Sequence, residues 1–320
     1  MDFQILISNL TNPTLLFFLL GIIATIVKSD LEIPESSSKF ISLYLLFAIG
    51  FKGGQELAHS HFSSEILYSI LMGLTIASII PIYTFFILKR RVSISDAGAV
   101  AATYGSVSAV TFVSAVSFLE SQQIAFGGHM VAVMALMESP AIIVGVILMM
   151  QYDKEAQKEG NMRSVLQHSF TNGSVLLIFG SLVIGFIADT KQAEGIKPFT
   201  TDIFKGFLAL FLLEMGIVTA KRFSAFRQYG LFLSVFAILI PAINGCIVAF
   251  ASGLITQSVG NRFIFAILAA SASYIAVPAA MRLAAPKADP GLYIPMALGL
   301  TFPFNITLGM PIYFAIVTNS

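Results

Sequence analysis

YGSVSA at residues 104–109 and ASASY at residues 270–274 interrupt two long apolar runs near their centres. Gly and Ser relax helix propensity, and Pro278 follows the second string by about one turn. Irregular backbone at membrane depth is tolerated only where it lines a cavity or is buried in protein. The two strings therefore predict two broken transmembrane helices that cross near the midplane of a bilayer.

The composition of the whole chain is that of an integral membrane protein. Its 320 residues include only 18 Lys+Arg and 17 Asp+Glu, 57% are hydrophobic, and the mean hydropathy is +0.87. A soluble domain of this size needs roughly a quarter of its residues charged. The net charge of +1 leaves no basic surface for nucleic acid, and a single cysteine, Cys246, excludes an internal disulfide. Hydrolase and ATP-binding motifs are absent from the sequence, so we do not expect an enzyme.

Ten apolar runs approach the roughly 20 helical residues that a bilayer core requires. The fourth and ninth of them contain the interrupted strings. We therefore predict an all-α integral membrane protein with ten transmembrane helices, of which the fourth and ninth are broken and cross. The runs are residues 13–28, 38–51, 62–88, 95–119, 124–151, 172–189, 201–220, 228–256, 260–284 and 291–317.

The second half of the chain repeats the first at an almost constant offset. Chance similarity of apolar segments is the alternative for any single match, but three matches occur in the same order. Each half holds five spans, an odd number, so the second copy enters the membrane with opposite polarity, as in the inverted repeats of secondary transporters. We predict a first repeat at 1–151, a cytoplasmic linker at 152–171 and a second repeat at 172–320. The matches pair SKFISLYLLFAIG (38–50) with FKGFLALFLLEMG (204–216), GSVSAVTF (105–112) with ASASYIAV (270–277), and LMESPAI (136–142) with LTFPFNI (300–306).

The distribution of Lys and Arg predicts the orientation, because cytoplasmic loops retain these residues. If the N-terminus is outside, the inner loops hold 13 of the 18 basic residues. Both termini are therefore predicted to be extracytoplasmic in a multi-pass protein of the cell (inner) membrane. The basic residues left on the outer side are Lys52, Lys191, Lys197, Lys205 and Arg262.

The two interruptions predict an ion site that needs no buried basic side chain. The half-helix after each interruption directs unpaired N–H groups and a partial positive charge toward the centre, which suits an anion. The preceding half-helices end in carbonyls, which suit sodium. Ser106, Ser108, Ser271 and Ser273 add hydroxyls for either ion. Close helix packing also uses small residues and is the alternative, but the recurrence in both halves favours the ion site.

Glu138 lies near the middle of the fifth span, in MALMESPAII. A carboxylate at the bilayer centre costs about 2.5–3.5 kcal/mol even on insertion scales, so such a residue is a functional candidate. We interpret Glu138 as a sodium ligand; a protonated structural carboxyl is the alternative. Thr301, its counterpart in the second half, together with Asn305, Ser139 and Thr111, supplies further oxygen donors.

Several of these stretches resemble the sodium-dependent bicarbonate permeases of the SbtA family, and the resemblance runs through nearly the whole chain. The most specific stretch is TFPFNITLGMPIY at 301–313; the others are IPES (33–36), IGFKGG (49–54), GSVSAVTF (105–112), MESPA (137–141) and SASY (271–274). The resemblance implies ten helices in a five-plus-five inverted fold, a homotrimer, and an elevator motion of a core domain against a gate domain.

The resemblance also implies the ligands and their residues. Bicarbonate would lie near Gly105, Ser106, Val107, Ser108, Ser271, Ala272 and Ser273. Sodium would lie near Ser108, Thr111, Glu138, Thr301 and Asn305. Family members with a longer central loop engage a small regulatory protein of the PII type on the cytoplasmic side, and the short segment 152–171 departs from that pattern.

The sequence thus favours a sodium-coupled importer of bicarbonate embedded in membrane lipid. Another small anion or carboxylate on the same fold is the nearest alternative. A sodium/proton exchanger would use Glu138 as its proton carrier, but neither interruption holds the Asp pair or Asp/Lys pair that exchange normally needs. A channel is disfavoured because the sequence has no ring of pore-lining charges.

Overall fold

A computed structural model describes residues 11–60, 63–153, 167, 171–226 and 230–320. These residues are helical and contain no strand. Short turns follow α8 at Pro198–Asp202 and α10 at Ser252–Leu254. The helices in chain order are α1 Pro13–Ile26, α2 Glu35–Ala58, α3 Ser64–Leu88, α4 Ile94–Gly105, α5 Ala109–Ser121, α6 His129–Tyr152, α7 Gly173–Ile187, α8 Thr190–Glu194, α9 Phe204–Phe226, α10 Leu231–Ala251, α11 Val259–Ala270, α12 Ala276–Ala284 and α13 Pro290–Asn319.

Each of the ten predicted apolar runs overlaps a helix or a pair of half-helices. In the described part of the chain, six segments are long and apolar enough to cross a membrane, and α1, α7 and α11 are shorter apolar helices. The predicted all-helical fold is therefore confirmed for the described residues, and its six long apolar segments are compatible with a membrane protein. The six segments are α3, α4 with α5, α6, Pro198–Arg222, Leu231–Leu254 and α13.

Helix α2 is longer than the predicted run 38–51 because its polar last turns have partners. Lys52 Nζ lies 2.9 Å from Glu120 Oε1. Gln55 Nε2 donates to the carbonyls of Gly185 and, at 3.1 Å, Ala188. With these groups satisfied, the helix continues to Ala58. Hydropathy alone therefore predicted an end at residue 51, which is too early.

Two helix pairs pack through glycines at closest approach. Helix α1 packs on α9, and α2 packs on α7. A Cβ added to Gly21 would lie 2.0 Å from the carbonyl oxygen of Leu213, and one added to Gly216 would lie 2.1 Å from that of Phe18. In the other pair, a Cβ on Gly185 would lie 2.2 Å from the Phe51 carbonyl oxygen. Both pairs thus depend on direct backbone contact.

The remaining long helices form the body that contains the interruptions. Helices α3, α4 and α6 pack on one another, as do α10, α11 and α13. The two groups meet where α11 packs on α5 and α12 packs on α4 and α6. Tyr83 of α3 also donates to Asn244 Oδ1 of α10 at 2.5 Å. When α4 with α5 and α11 with α12 are each counted as one broken helix, this is a six-helix body, and the interruptions lie inside it.

Loop contacts agree with the predicted alternation of sides. On the face predicted to be outside, the Gly127 N–H donates to Asn261 Oδ1 at 2.7 Å, and Asn261 Nδ2 donates to Glu65 Oε1 at 3.0 Å. On the opposite face, the Asp289 N–H donates to Asp96 Oδ1 at 2.8 Å. The predicted linker 152–171 and the basic residues Lys154, Lys158, Arg163 and Arg227 fall almost wholly outside the described residues.

Candidate functional site

Both predicted interruptions are present and buried. Helix α4 ends at Gly105 and α5 begins at Ala109, while α11 ends at Ala270 and α12 begins at Ala276. Ser106 and Ser271 follow the ends of the first half-helices in extended conformation, with ψ of 161° and 166°. Each interruption therefore turns the chain before a new helix starts.

The two interruptions touch each other. The Ser108 N–H donates to Ser271 Oγ at 3.0 Å, and the Ser273 N–H donates to the Thr103 carbonyl at 2.8 Å. Each contact joins one interrupted run to the other across more than 160 positions of sequence. Two broken helices therefore meet inside the six-helix body.

The start of α5 offers hydrogen-bond donors to this meeting point. Ser108 caps the helix by accepting the Thr111 N–H at 3.2 Å. The N–H groups of Ala109 and Val110 have no acceptor among the residues that the structure describes. Since the first N–H groups of a helix also carry its partial positive charge, this terminus suits an anion.

Three buried hydroxyls close to the first interruption lack partners within the described chain. They belong to Thr103, Ser106 and Thr111, each with no exposed surface. An unpaired buried hydroxyl costs about 1–3 kcal/mol on mutational scales. A polar ligand bound where the interruptions meet would form hydrogen bonds with such hydroxyls.

A small pocket opens beside the interruptions. The volume that the centre of a water-sized sphere can occupy is about 20 Å³, which is enough for one group of that size. The carboxylate-bearing Glu138 of α6 lines it beside both interruptions, and α2 and α7 close it. The lining residues are Leu46, Val107, Ser108, Ala109, Met134, Ala135, Glu138, Ser174, Ile178, Ser273, Tyr274 and Ile275.

The predicted bicarbonate residues divide into two groups. Val107, Ser108 and Ser273 line the pocket, whereas Gly105, Ser106, Ser271 and Ala272 are buried beside it. Gly105 has a packing reason of its own, because a Cβ there would lie 2.2 Å from Pro81 Cγ. Its small size is therefore explained by the contact between α4 and α3.

The predicted sodium residues are also only partly brought together. Ser108 and Glu138 share the pocket, and Thr111 lies one turn into α5. Thr301 Oγ1 lies 2.8 Å from the Tyr104 hydroxyl and donates to the Ala237 carbonyl at 2.6 Å. Asn305 Oδ1 accepts from the Tyr313 hydroxyl at 3.2 Å. Thr301 and Asn305 are thus already engaged by protein groups.

Two backbone carbonyls near the ends of the first half-helices each accept a hydrogen bond. The Thr103 carbonyl accepts the Ser273 N–H, and the Ala270 carbonyl accepts Asn305 Nδ2 at 2.7 Å. A carbonyl oxygen has two lone pairs, so these ends remain compatible with a cation. Among the predicted sodium residues, Glu138 lines the pocket, and the Thr111 hydroxyl has no hydrogen-bond partner within the described residues.

A family model described as the Na⁺-dependent bicarbonate transporter superfamily matches residues 13–318, nearly the whole chain. The chain belongs to the Na⁺-dependent bicarbonate transporter superfamily. This membership confirms the resemblance and places the protein among transporters, which are not an enzyme class. Comparison with curated proteins finds no match.

The structure of this superfamily member adds pocket residues that the sequence patterns did not indicate. Leu46 of α2 and Ser174 and Ile178 of α7 close the pocket from outside the six-helix body. No local motif marks them, because their role depends on how α2 and α7 pack against the interruptions.

Three ionisable side chains outside the pocket have different surroundings. Lys52 pairs with Glu120. Glu214 is buried in α9, and its Oε2 has no hydrogen-bond partner within the described residues. His129 is buried as well, and its Nε2 also lacks a partner there.

Proposed function

We propose that this transporter is a sodium-coupled symporter that imports bicarbonate by an elevator-type alternating-access mechanism. The observation that carries the proposal is the contact of the two interrupted helices beside unpaired donors and one carboxylate. A compact anion matches the N–H groups of Ala109 and Val110, and a hard cation matches Glu138. The superfamily description names the same two ions.

Bicarbonate is assigned to the interruptions themselves. Its residues are Gly105, Ser106, Val107, Ser108, Ser271, Ala272 and Ser273, mainly through backbone N–H groups and serine hydroxyls. Sodium is assigned beside it, to Ser108, Thr111, Glu138, Thr301 and Asn305. Thr301 and Asn305 would exchange their present hydrogen bonds for the ion, whereas Thr111 has none to lose through its hydroxyl.

Two inverted five-span repeats provide the framework of the proposal. The helix pairs support it, since α1 packs on α9 through Gly21 and α7 packs on α2 through Gly185, and these two glycines are about 165 residues apart. The pairs α1 with α9 and α2 with α7 would form the gate domain, and the six-helix body would form the moving core. Besides the six long segments, ten spans then require that α1, α2, α7 and the broken pair α11 with α12 also cross the bilayer.

The electrical cost of import explains the need for a coupled cation. Moving one negative charge inward against an inside-negative potential costs about 2.3 kcal/mol per 100 mV. One sodium ion moving with bicarbonate cancels this cost and adds the energy of its own gradient. A one-to-one stoichiometry is therefore sufficient.

Assembly and location complete the proposal. We assign a homotrimer in the inner membrane with both termini extracytoplasmic, on the strength of the family resemblance and of the charge distribution. A PII-like partner would act at the central linker, almost all of which lies outside the described residues.

The decisive experiment measures uptake of radiolabelled inorganic carbon into proteoliposomes at alkaline pH, with and without an inward sodium gradient. We expect uptake that requires the gradient. Sodium-driven uptake of a dicarboxylate with no uptake of inorganic carbon would establish the other-anion alternative. Sodium-driven proton movement without anion uptake would establish an exchanger.

A further inference from the structure

A second cavity, distinct from the pocket at the interruptions, lies between α2, α5 and the start of α9. It measures about 390 Å³ and is open to the outside of the protein. Four charged side chains line it, one each from α2, α5, the turn at Pro198–Asp202 and α9. The lining residues are Ala48, Ile49, Lys52, Val116, Glu120, Thr200, Thr201, Asp202, Phe204 and Lys205.

Two lysines share one carboxylate in this cavity. Lys52 Nζ lies 2.9 Å from Glu120 Oε1, and Lys205 Nζ lies 3.5 Å from Glu120 Oε2. The side chains of Lys52, Lys205 and Glu120 are 38%, 59% and 29% exposed. Ion pairs this open to water contribute little to stability, so the cluster needs another explanation than folding.

The cavity and the pocket are both lined by α2 and α5. Leu46 of α2 and Ala109 of α5 line the pocket, while Ile49 of α2 and Val116 of α5 line the cavity. Ala109 and Val116 are seven helical residues apart, or about 10 Å along α5. All the charged residues of the cavity lie on the side predicted to be extracytoplasmic. An ion entering from that side meets the lysines before the pocket.

We propose that Lys52 and Lys205 form an entry site for bicarbonate, in which the Glu120 carboxylate takes the place of the anion until one arrives. The inference rests on the proposed function. Bicarbonate and a carboxylate share a negatively charged O–C–O group, so the anion fits where Glu120 now contacts both ammonium groups. Exchange of one anion for the other leaves the charge around the lysines unchanged.

The neighbouring acids keep such a site weak. Asp202 lines the same cavity, and Glu56 lies one turn from Lys52 on α2. Their negative charge opposes tight anion binding, so a captured ion passes on rather than remaining. An entry site of this kind acts on the encounter with substrate and not on the translocation step.

The competing explanation is that the ion pairs only hold α5 against α2 and α9, as a clamp. The two explanations predict changes in KM that differ in sign between the lysine and glutamate variants. For an entry site, Lys52→Gln and Lys205→Gln raise the KM for bicarbonate by about three- to tenfold, and Glu120→Gln lowers it by about two- to threefold. The maximal rate and the sodium dependence stay near the wild-type values. For a clamp, each substitution breaks one or both of the same two ion pairs, and all three shift the kinetics in the same direction.

The experiment measures initial uptake of radiolabelled inorganic carbon in proteoliposomes for each variant. Lys191→Gln removes an exposed lysine from α8 on the same side and is the matched control. Lys52→Arg keeps the charge and is expected to retain the wild-type KM within about twofold. Purified variants are first compared by size-exclusion chromatography.

The outcomes separate the inference from the function on which it rests. Opposite changes in KM for the lysine and glutamate variants support the entry site. Parallel changes, or unchanged KM in all three, overturn it while wild-type uptake continues. Absence of sodium-dependent uptake by the wild type overturns the proposed function instead.

Discussion

At the residue scale, we propose that coupling to sodium depends on the carboxylate of Glu138. It shares the pocket with Ser108 and Ser273, and no Lys or Arg lines that pocket among the described residues. A carboxylate at this depth without a basic partner is costly to keep charged. A bound sodium ion would remove that cost, which gives a physical reason for the proposed coupling at this residue.

The variant Glu138→Gln tests this role because it keeps the size of the side chain and removes its charge. We expect the apparent sodium affinity to fall by about 10- to 100-fold, since a hydrogen bond or contact to a charged group is worth about 1.5–3 kcal/mol. The sodium dependence of bicarbonate uptake measures the change. Glu194→Gln removes an exposed carboxylate from α8 and serves as control. Unaltered sodium dependence in Glu138→Gln would refute the assignment.

The hydroxyl of Ser106 gives a second prediction at this scale. Because it is buried without a partner in the described chain, Ser106→Ala removes no hydrogen bond to protein. We expect unchanged or slightly higher thermal stability, together with an increase of about fivefold or more in the KM for bicarbonate or sodium. Ser114→Ala, which removes a buried hydroxyl bonded to the Val110 carbonyl on α5, is the control for uptake. Wild-type kinetics in Ser106→Ala would show that the hydroxyl only packs.

At the element scale, the positions of small residues decide which helices approach closely. The backbones of α1 and α9, and of α2 and α7, touch through Gly21, Gly216, Gly50 and Gly185. Dispersion forces drive helix association in lipid, so close backbone contact is the main source of their stability. In the proposed elevator motion, the six-helix body would move against these two helix pairs.

Gly185→Ala tests the contact between α2 and α7. The added Cβ would lie 2.2 Å from the Phe51 carbonyl oxygen, so the helices must separate, and we expect destabilisation of about 1–3 kcal/mol. The midpoint of thermal denaturation of the detergent-purified protein measures the effect. Gly180→Ala lies on the same helix with nothing within 4 Å of the new Cβ, and is expected to be neutral or slightly stabilising. Equal midpoints for both variants would contradict the contact.

At the scale of the whole molecule, the balance of charge predicts the response to voltage. If one sodium ion moves with one bicarbonate ion, no net charge crosses the membrane. We expect that an inside-negative potassium diffusion potential leaves the initial rate of sodium-driven uptake unchanged. A voltage-sensitive dye verifies the imposed potential in the same vesicles. Stimulation by the potential would show that more than one sodium ion accompanies each anion.

The sequence predicted the helical segments well because helix formation and membrane partition are local properties. Each apolar run overlaps a helix, and Gly105, Ser106, Ser271 and Ser273 lie at the interruptions where their low helix propensity indicated. The exception is α2, whose polar turn at Lys52 and Gln55 reads as loop in isolation. Gln55 donates to the Ala188 carbonyl at the end of α7, a contact that hydropathy does not show.

The candidate site was predictable only as a list of residue types. Ser108 and Glu138 share a pocket, but Thr301 bonds to Tyr104 and Asn305 bonds to Ala270, which spacing along the chain does not show. Ser174 carries no motif and still lines the pocket. Each of these facts depends on the rotation and depth of one helix relative to another.

By itself, the sequence determined that this chain is a helical membrane protein with two interrupted spans and a recognisable family. These properties are local. The length of the apolar runs, the Gly and Ser residues at the interruptions and the TFPFN stretch each involve only a few turns of the chain. Only the tertiary structure decided that the interruptions touch, that Lys52 pairs with Glu120, and that α2 and α7 close the pocket. Side chains on separate helices meet through packing, and packing is a property of the whole fold.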